Sequence, residues 1–275
     1  LLNGDTVSYK YLDATSNKVV VDLSQATATI YNGVNATTDI DTLINIENID
    51  GSKNDDTITG NNSDNTILGN VGKDLIYGSE GKDTIDGGSE FDSVDYSKMN
   101  QKIVLTTTSN TTTNTTTYTV TKGSGKVDTL TNVEEIIGTS YDDEMTGAEL
   151  SDTFRSGAGN DTLIGGKGND YLEGGSGNDI YKATSFDDGD DTLTDSDGSD
   201  SVDYSAITDN TYHLELNLST TTVGVLAAGK ALIKASSTIH QTDTLLGIEN
   251  VIGTAGDDTI VGNDEINIIK TGAGK

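Results

Sequence analysis

Apolar positions recur every nine residues over two stretches of this chain. A large apolar side chain stands at position eight of five consecutive nonapeptides between residues 51 and 95, namely Ile58, Ile67, Ile76, Ile85 and Val94. The same spacing returns at Leu163, Leu172 and Tyr181. One apolar residue between two polar ones fits a three-residue strand, whereas a helix needs apolar residues three and four positions apart. We therefore predict very short strands whose apolar residues form the core, and no helix.

The remaining positions of each nonapeptide are typical of a tight turn. Residues 156–182 read SGAGNDTLI, GGKGNDYLE and GGSGNDIYK, with Gly at most of positions one, two and four and Asp at position six. Gly permits positive φ and leaves carbonyl oxygens unobstructed. Two nonapeptides close one coil of a flattened solenoid, so position-six residues eighteen apart, such as Asp161 and Asp179, should stack on adjacent rungs.

This stacking suits a calcium ion. Neighbouring rungs lie about 4.8 Å apart, which is twice a Ca²⁺–O distance of roughly 2.4 Å. An ion between two rungs can therefore take a carboxylate from each and complete its shell with turn carbonyls. Without the ion, two such carboxylates repel by roughly 1 kcal/mol in water and about 3–4 kcal/mol at an effective dielectric constant of 20. We expect folding to need the metal.

The three tandem units fit G-G-x-G-x-D-x-U-x, where U is a large apolar residue, and by these residues the chain resembles the bacterial RTX family. The resemblance implies an all-β fold, a parallel β-roll or β-solenoid of nonapeptide repeats interrupted by β-rich inserts, with several bound Ca²⁺ ions. Asn65 and Asn267 stand at position six but are poorer ligands because they are neutral. The candidate metal ligands are Asp56, Asp74, Asp83, Asp92, Asp143, Asp152, Asp161, Asp170, Asp179, Asp191, Asp200 and Asp258.

A longer repeat divides the chain into modules. An eleven-residue element occurs as DTLINIENIDG, DTLTNVEEIIG and DTLLGIENVIG, and its first two copies, which begin at Asp41 and Asp128, are offset by 87 residues. The register slips by three residues near Thr184, and Asp195 replaces a first-position Gly further on. We predict β-rich inserts at 1–50, 96–137 and 204–252, repeat blocks at 51–95 and 138–203, and the start of a third block at 253–275.

Each insert is interpreted as two strands around a polar turn. The predicted pairs are 19–21 with 28–31, 103–105 with 118–120, and 213–218 with 231–233, because β-branched residues and alternation favour strands there. Hairpins beside the solenoid and wider rungs within it both fit this pattern. Leu43, Ile46 and Ile49 of the eleven-residue element are spaced three apart, which favours wider rungs.

Composition narrows the classes of partner. The chain has 45 acidic and 16 basic residues and a formal net charge of −29. Nucleic acid and anionic membranes are disfavoured because their phosphates must be met by Lys and Arg. There is no Cys, and no apolar run is long enough to span a bilayer. We expect the chain to be a fragment, since it begins without Met and ends within a nonapeptide.

Three tempting functional motifs have simpler explanations. The Thr-rich tract 106–121 lies in one insert, so a solvated strand pair is favoured over an ice-binding array or a glycosylated stalk. Residues 224–231, GVLAAGKA, lack the final hydroxyl of a phosphate-binding loop. His213 and His240 are the only histidines, and no serine or zinc hydrolase motif is present, so we predict no catalytic residue.

Together with the resemblance to the RTX family, these observations imply a non-catalytic, calcium-binding structural segment of a secreted bacterial cell-surface protein. The resemblance implies type I secretion, an extracellular location, and an adhesin or surface-layer protein as the whole. Copies of the same chain and cell-surface glycans are the further partners considered, without membrane insertion. The alternative is the carboxy-terminal RTX module of a secreted protease, lipase or polysaccharide-modifying enzyme.

Overall fold

A computed structural model describes residues 4–12, 17–32 and 35–274. Within these ranges the chain forms 28 strands and no helix, which confirms the predicted all-β class. None of the described segments is a helix that could cross a membrane. The chain divides into two compact units, residues 1–139 and 140–275.

The first unit contains two sheets. One has the strand order β1-β5-β7-β9-β13-β12-β11, and the other has the order β4-β3-β2-β6-β8-β10-β14. The strands are β1 (Thr6–Ser8), β2 (Asn17–Asp22), β3 (Thr27–Asn32), β4 (Asn35–Thr42), β5 (Asn48–Asp50), β6 (Thr57–Thr59), β7 (Thr66–Val71), β8 (Leu75–Tyr77), β9 (Thr84–Ser89), β10 (Ser93–Asp95), β11 (Ile103–Asn110), β12 (Thr115–Lys122), β13 (Val127–Thr131) and β14 (Glu135–Ile137).

The second unit also has two sheets. Their orders are β15-β17-β19-β22-β26-β28 and β16-β18-β20-β25-β24-β23-β27, and β21 pairs with β18. The strands are β15 (Glu144–Thr146), β16 (Thr153–Ala158), β17 (Thr162–Ile164), β18 (Tyr171–Gly177), β19 (Ile180–Lys182), β20 (Thr192–Thr194), β21 (Asp197–Gly198), β22 (Ser201–Asp203), β23 (Tyr212–Asn217), β24 (Lys230–Ala235), β25 (Thr238–Leu246), β26 (Asn250–Ile252), β27 (Thr259–Val261) and β28 (Ile269–Lys270).

Consecutive nonapeptides alternate between the two sheets of a unit. Parallel partners are eighteen residues apart, as in Thr57 opposite Leu75 and Thr162 opposite Ile180. After the three-residue slip the separation becomes 21, as in Tyr171 opposite Thr192. The solenoid coil of two nonapeptides is therefore confirmed.

In the repeat blocks the core consists of the position-eight side chains. They are Ile58, Ile67, Ile76, Ile85 and Val94 in the first unit and Met145, Phe154, Leu163, Leu172, Tyr181, Leu193 and Val202 in the second, and all twelve are buried. In a strand of three residues only the middle side chain faces inward, because successive side chains point to opposite faces. The repeat thus places a single apolar residue per rung in the core, and this core is thin.

The inserts are antiparallel hairpins incorporated into the sheets rather than wider rungs. In the second insert β11 pairs antiparallel with β12, and β12 with β13. The last of these strands, β13, then continues the parallel sheet beside β9. β2-β3-β4 and β23-β24-β25 form equivalent antiparallel triplets. Residues 106–121 form a half-exposed strand pair around a Thr-rich turn, as predicted, and no helix follows residues 224–231.

The eleven-residue element does behave as a rung. In its second copy Leu130 lies on β13 in one sheet and Ile136 lies on β14 in the other, with Val133 at the corner between them. All three side chains are buried. The spacing of three residues therefore reflects a chain that turns from one sheet to the other.

Candidate metal centre

The position-six carboxylates form columns along the edges of the coils. Asp161 Oδ1 accepts a 2.7 Å hydrogen bond from the backbone N–H of Asp143, and Asp179 Oδ1 accepts one of 2.7 Å from Asp161. Each contact joins residues eighteen apart, as the stacking of nonapeptides requires. The same contact recurs from Asp56 to Asp74, from Asp74 to Asp92 and from Asp152 to Asp170, each at 2.8 Å.

The second carboxylate oxygen of several column members has no hydrogen-bond partner among the described residues. These atoms are the Oδ2 of Asp74, Asp92, Asp161, Asp170 and Asp179, whose side chains are buried. A buried carboxylate oxygen without a partner costs free energy, and a cation can offset that cost. The column therefore presents an anionic oxygen on successive rungs, which suits a hard divalent cation such as Ca²⁺.

Burial also shifts the proton equilibria of these groups. Desolvation raises the pKa of Asp74 to about 8, that of Asp170 to about 7 and that of Asp161 to about 6. Desolvation raises the pKa of Asp191 and Asp200 as well, to about 8 and about 7. Burial disfavours the charged form in each case, and a bound cation would favour it.

The glycines make room for the carboxylates. A methyl group at Gly165 would collide with Asp170 Oδ2, and one at Gly174 would collide with Asp179 Oδ2. Position-one Gly thus leaves room for the position-six side chain of its own nonapeptide. At position four, Gly177 has a φ of +130°, and a side chain there would also strike the carbonyl of Gly159 on the preceding coil.

These residues fit calcium by their chemistry. The donor set is carboxylate and carbonyl oxygen, which Ca²⁺ prefers over nitrogen or sulfur ligands. Ion binding would pair each buried Oδ2, and the glycine turns leave the carbonyls of the coil unobstructed.

Sequence comparison identifies the repeat. The family model of the RTX calcium-binding nonapeptide repeat matches residues 45–75, 59–94, 146–181 and 246–275. The chain carries RTX calcium-binding repeats. RTX repeats bind calcium in general, and the four matched copies indicate a calcium-binding β-roll segment.

One solved structure shows a weak similarity to this chain. Among solved structures, the chain is similar to the extracellular lipase LipA from Serratia marcescens, with 16% identity and a TM-score of 0.29. The match covers 73% of this chain and 37% of the lipase chain, so this chain spans about a third of that protein. No curated protein matches.

Eleven of the twelve predicted ligands lie in four RTX columns. In the first unit these are Asp56-Asp74-Asp92 and Asn65-Asp83, and in the second unit Asp143-Asp161-Asp179-Asp200 and Asp152-Asp170-Asp191. Asp258 lies apart, where it accepts hydrogen bonds from the backbone N–H groups of Leu214 and Thr254. Calcium ligation by each of the twelve stays a prediction.

Asn65 and Asn267 make different contacts from the RTX aspartates. Asn65 Oδ1 accepts a hydrogen bond from the backbone N–H of Asn61, and its Nδ2 donates one of 2.8 Å to the carbonyl oxygen of Glu47. Asn267 pairs with Asn263 in the same way. Both amides satisfy their polar atoms within the protein, so these positions need no ion.

Asp195 adds a third carboxylate beside one RTX column. Asp179, Asp195 and Asp200 each offer an oxygen within 4.8 Å of the others. Asp195 replaces a first-position Gly, and the hydroxyl of Tyr181 lies 2.8 Å from its Oδ2. Three carboxylates at one place favour a divalent cation over a proton or a monovalent ion.

The inserts supply column members that the nonapeptide pattern missed. Asp128 Oδ1 accepts a hydrogen bond of 2.8 Å from the backbone N–H of Asp83, and Asp243 Oδ1 accepts one of 3.1 Å from the backbone N–H of Asp191. The carboxylates of Glu134 and Glu249 accept the equivalent hydrogen bonds from the backbone N–H groups of Asp92 and Asp200. Glu47 accepts one from the backbone N–H of Asp5. All five belong to the eleven-residue element, at its first or seventh position. The recurrence of an acidic residue at these two positions in all three copies of the element was the sequence signal that could have identified them.

Proposed function

We propose that this chain is a non-catalytic structural segment of a secreted bacterial cell-surface protein, of the adhesin or surface-layer type, and that it folds when it binds extracellular Ca²⁺. The supporting observation is the set of buried Oδ2 atoms without a hydrogen-bond partner in the described part of the chain, on Asp74, Asp92, Asp161, Asp170 and Asp179. Five such atoms at the period of the coil form a repeating site for cations.

Folding and ion binding are coupled in this proposal. Most repeat strands are three residues long, and each contributes one core side chain. Such a core is too thin to offset the desolvation of a column of carboxylates. The chain therefore stays unfolded in calcium-poor cytosol, can pass a secretion channel, and acquires its structure outside the cell.

Circular dichroism and size measurements with and without calcium test the coupling. In excess chelator the full chain should lose most of its β structure and expand. Millimolar Ca²⁺ should restore both cooperatively, whereas Mg²⁺ should restore much less because it dehydrates reluctantly and prefers six-fold geometry. An unchanged spectrum in excess chelator would show that the apolar core alone suffices.

The non-catalytic part of the proposal is supported by the carboxylate spacing. Paired acids can act in glycoside hydrolysis, but here the pairs recur with the coil period, which supports stacked ion sites over a single catalytic pair. The flanking coding sequence distinguishes the two kinds of whole protein. Further copies of the 87-residue module would support a surface protein that binds its own copies or glycans, and a catalytic domain before Leu1 would support an enzyme module.

A further inference from the structure

Lys122 is a fully buried basic residue in the first unit. It ends β12, whose inward-facing side chains alternate as Tyr118, Val120 and Lys122. Its side chain has 0% exposure and points to the edge where Asp83 and Asp128 occupy adjacent rungs. A buried lysine is rare unless its charge is paired.

Three oxygens surround the Lys122 ammonium. Nζ lies 2.6 Å from Asp128 Oδ1, 2.7 Å from the carbonyl oxygen of Ser79 and 3.6 Å from Asp83 Oδ2. The first two contacts are hydrogen bonds, and the third is an ion pair without a hydrogen bond. The oxygens around Nζ are thus one carboxylate from each of two adjacent rungs and one carbonyl from the turn that precedes Asp83.

The oxygens beside Lys122 differ from those elsewhere in the columns. Asp83 Oδ2 also accepts from the Ser79 hydroxyl at 3.0 Å, and Asp128 Oδ2 accepts from the Tyr96 hydroxyl at 2.9 Å. Every carboxylate oxygen at this step of the column is therefore paired within the protein. The five buried Oδ2 atoms without partners all belong to other steps.

We infer that the Lys122 ammonium takes the place of a calcium ion between the carboxylates of Asp83 and Asp128 on adjacent rungs. We call such a pair of stacked carboxylates a step of the column, and at this step the lysine replaces the ion. The inference rests on the proposed function, because the position is recognised by its likeness to the calcium steps. It reassigns Asp83 from the calcium ligands predicted by the sequence to a partner of Lys122.

The two edges of the first unit then differ. The edge of Asn65, Asp83 and Asp128 is held by an internally paired amide and by Lys122, and needs no calcium at these rungs. The opposite edge, with Asp56, Asp74 and Asp92, carries buried oxygens that do need it. At the junction with the second insert, the edge that contains Asp83 and Asp128 is therefore stabilised without calcium, whereas the opposite edge needs the ion.

Counting bound calcium tests the inference on the full chain. Lys122→Ala removes the ammonium and leaves space between two carboxylates, so the variant should bind one more Ca²⁺ per chain than the wild type in equilibrium dialysis. Lys126→Ala is the matched control, because its Nζ is exposed and 3.7 Å from Asp64 Oδ1, and it should leave the count unchanged. Lys122→Met fills the space without charge and should gain no ion.

A crystal of the wild type soaked with terbium provides a second measurement that does not depend on a variant folding. Anomalous density should appear beside Asp74 and Asp161 but not between Asp83 and Asp128, where Lys122 Nζ should remain. An ion at that step with Lys122 displaced would overturn the inference, as would a folded Lys122→Ala variant with the wild-type count. A wild type that binds no calcium at all would instead overturn the proposed function.

Discussion

At the scale of single residues, one atom distinguishes Asp from Asn at position six. Asp161 uses Oδ1 for the N–H of Asp143, and its Oδ2 is buried without a protein partner in the described structure. Asn65 presents an amide nitrogen instead, which donates to Glu47 O. A cation can therefore pair the second oxygen of Asp161, whereas the amide of Asn65 completes its own hydrogen bonds.

Replacing these two residues should separate their roles. Asp161→Ala is expected to lose at least one bound ion and to raise the calcium midpoint for folding by about tenfold, the equivalent of about 1.4 kcal/mol. Asn65→Ala loses a hydrogen bond worth about 1 kcal/mol of stability but no bound ion. Calcium titrations followed by circular dichroism, together with ion counts by dialysis, measure both effects. Equal midpoints and equal ion counts for the two variants would refute this ranking.

At the scale of elements, a tyrosine links each insert to the strand before it. The hydroxyl of Tyr96 donates to Asp128 Oδ2 at 2.9 Å, and that of Tyr9 donates to Asp41 Oδ2 at 3.0 Å. Tyr204 contacts Asp243 in the third copy. The tyrosine ends a DTVSY or DSVDY segment, and the aspartate begins the eleven-residue element. This pair fixes where the chain rejoins the coil after an insert.

Removing one hydroxyl from this pair should destabilise the rejoined rung. Tyr96→Phe leaves Asp128 Oδ2 buried without its donor, which should lower the free energy of unfolding by about 1–3 kcal/mol. Urea denaturation in saturating calcium measures the loss. Tyr11→Phe is the control, because Tyr11 is 86% exposed and should change stability little. A Tyr96→Phe variant as stable as the control would show that the hydroxyl contributes nothing.

The sequence predicted the repeat blocks better than the inserts. Position-eight residues such as Ile76 and Leu163 are buried as predicted, since each three-residue strand has one inward side chain. The insert strands were predicted at the right places and as pairs, but their incorporation into a sheet and the third antiparallel strand of each insert were not. The place of each hairpin in the sheet depends on pairing between residues far apart in the chain, such as Leu130 opposite Ile85, which strand periodicity does not encode.

In the candidate site, too, the contacts set by the repeat could be predicted from the sequence and those set by an insert could not. The stacking of Asp161 on Asp179 follows from the eighteen-residue period and could be predicted. The position of Lys122 between Asp83 and Asp128 could not, because it depends on how the hairpin of the second insert returns to the coil. A lone lysine in a Thr-rich segment has the sequence features of a solvated residue.

At the scale of the whole molecule, calcium and protons compete for the same carboxylates. The formal net charge of −29 disfavours the compact state, and the buried column members carry much of the cost. Burial raises the pKa of Asp74 to about 8, that of Asp92 to about 7 and that of Asp161 to about 6. An unfolded chain has Asp pKa values near 3.9, so between these limits the folded state binds more protons.

The calcium-free chain should therefore be more folded in mild acid than at neutral pH. Each raised pKa contributes stability that is present below about pH 4 and is lost as the pH rises through about 6 to 8. We expect the β signal of a chain depleted on a chelating resin to fall across that range, and saturating Ca²⁺ to abolish the fall. Added salt screens exposed charges but buried ones much less, so the same fall should persist in high salt. A β signal that rises with pH in calcium-free buffer would contradict the assignment of the buried carboxylates as the groups that calcium must neutralise.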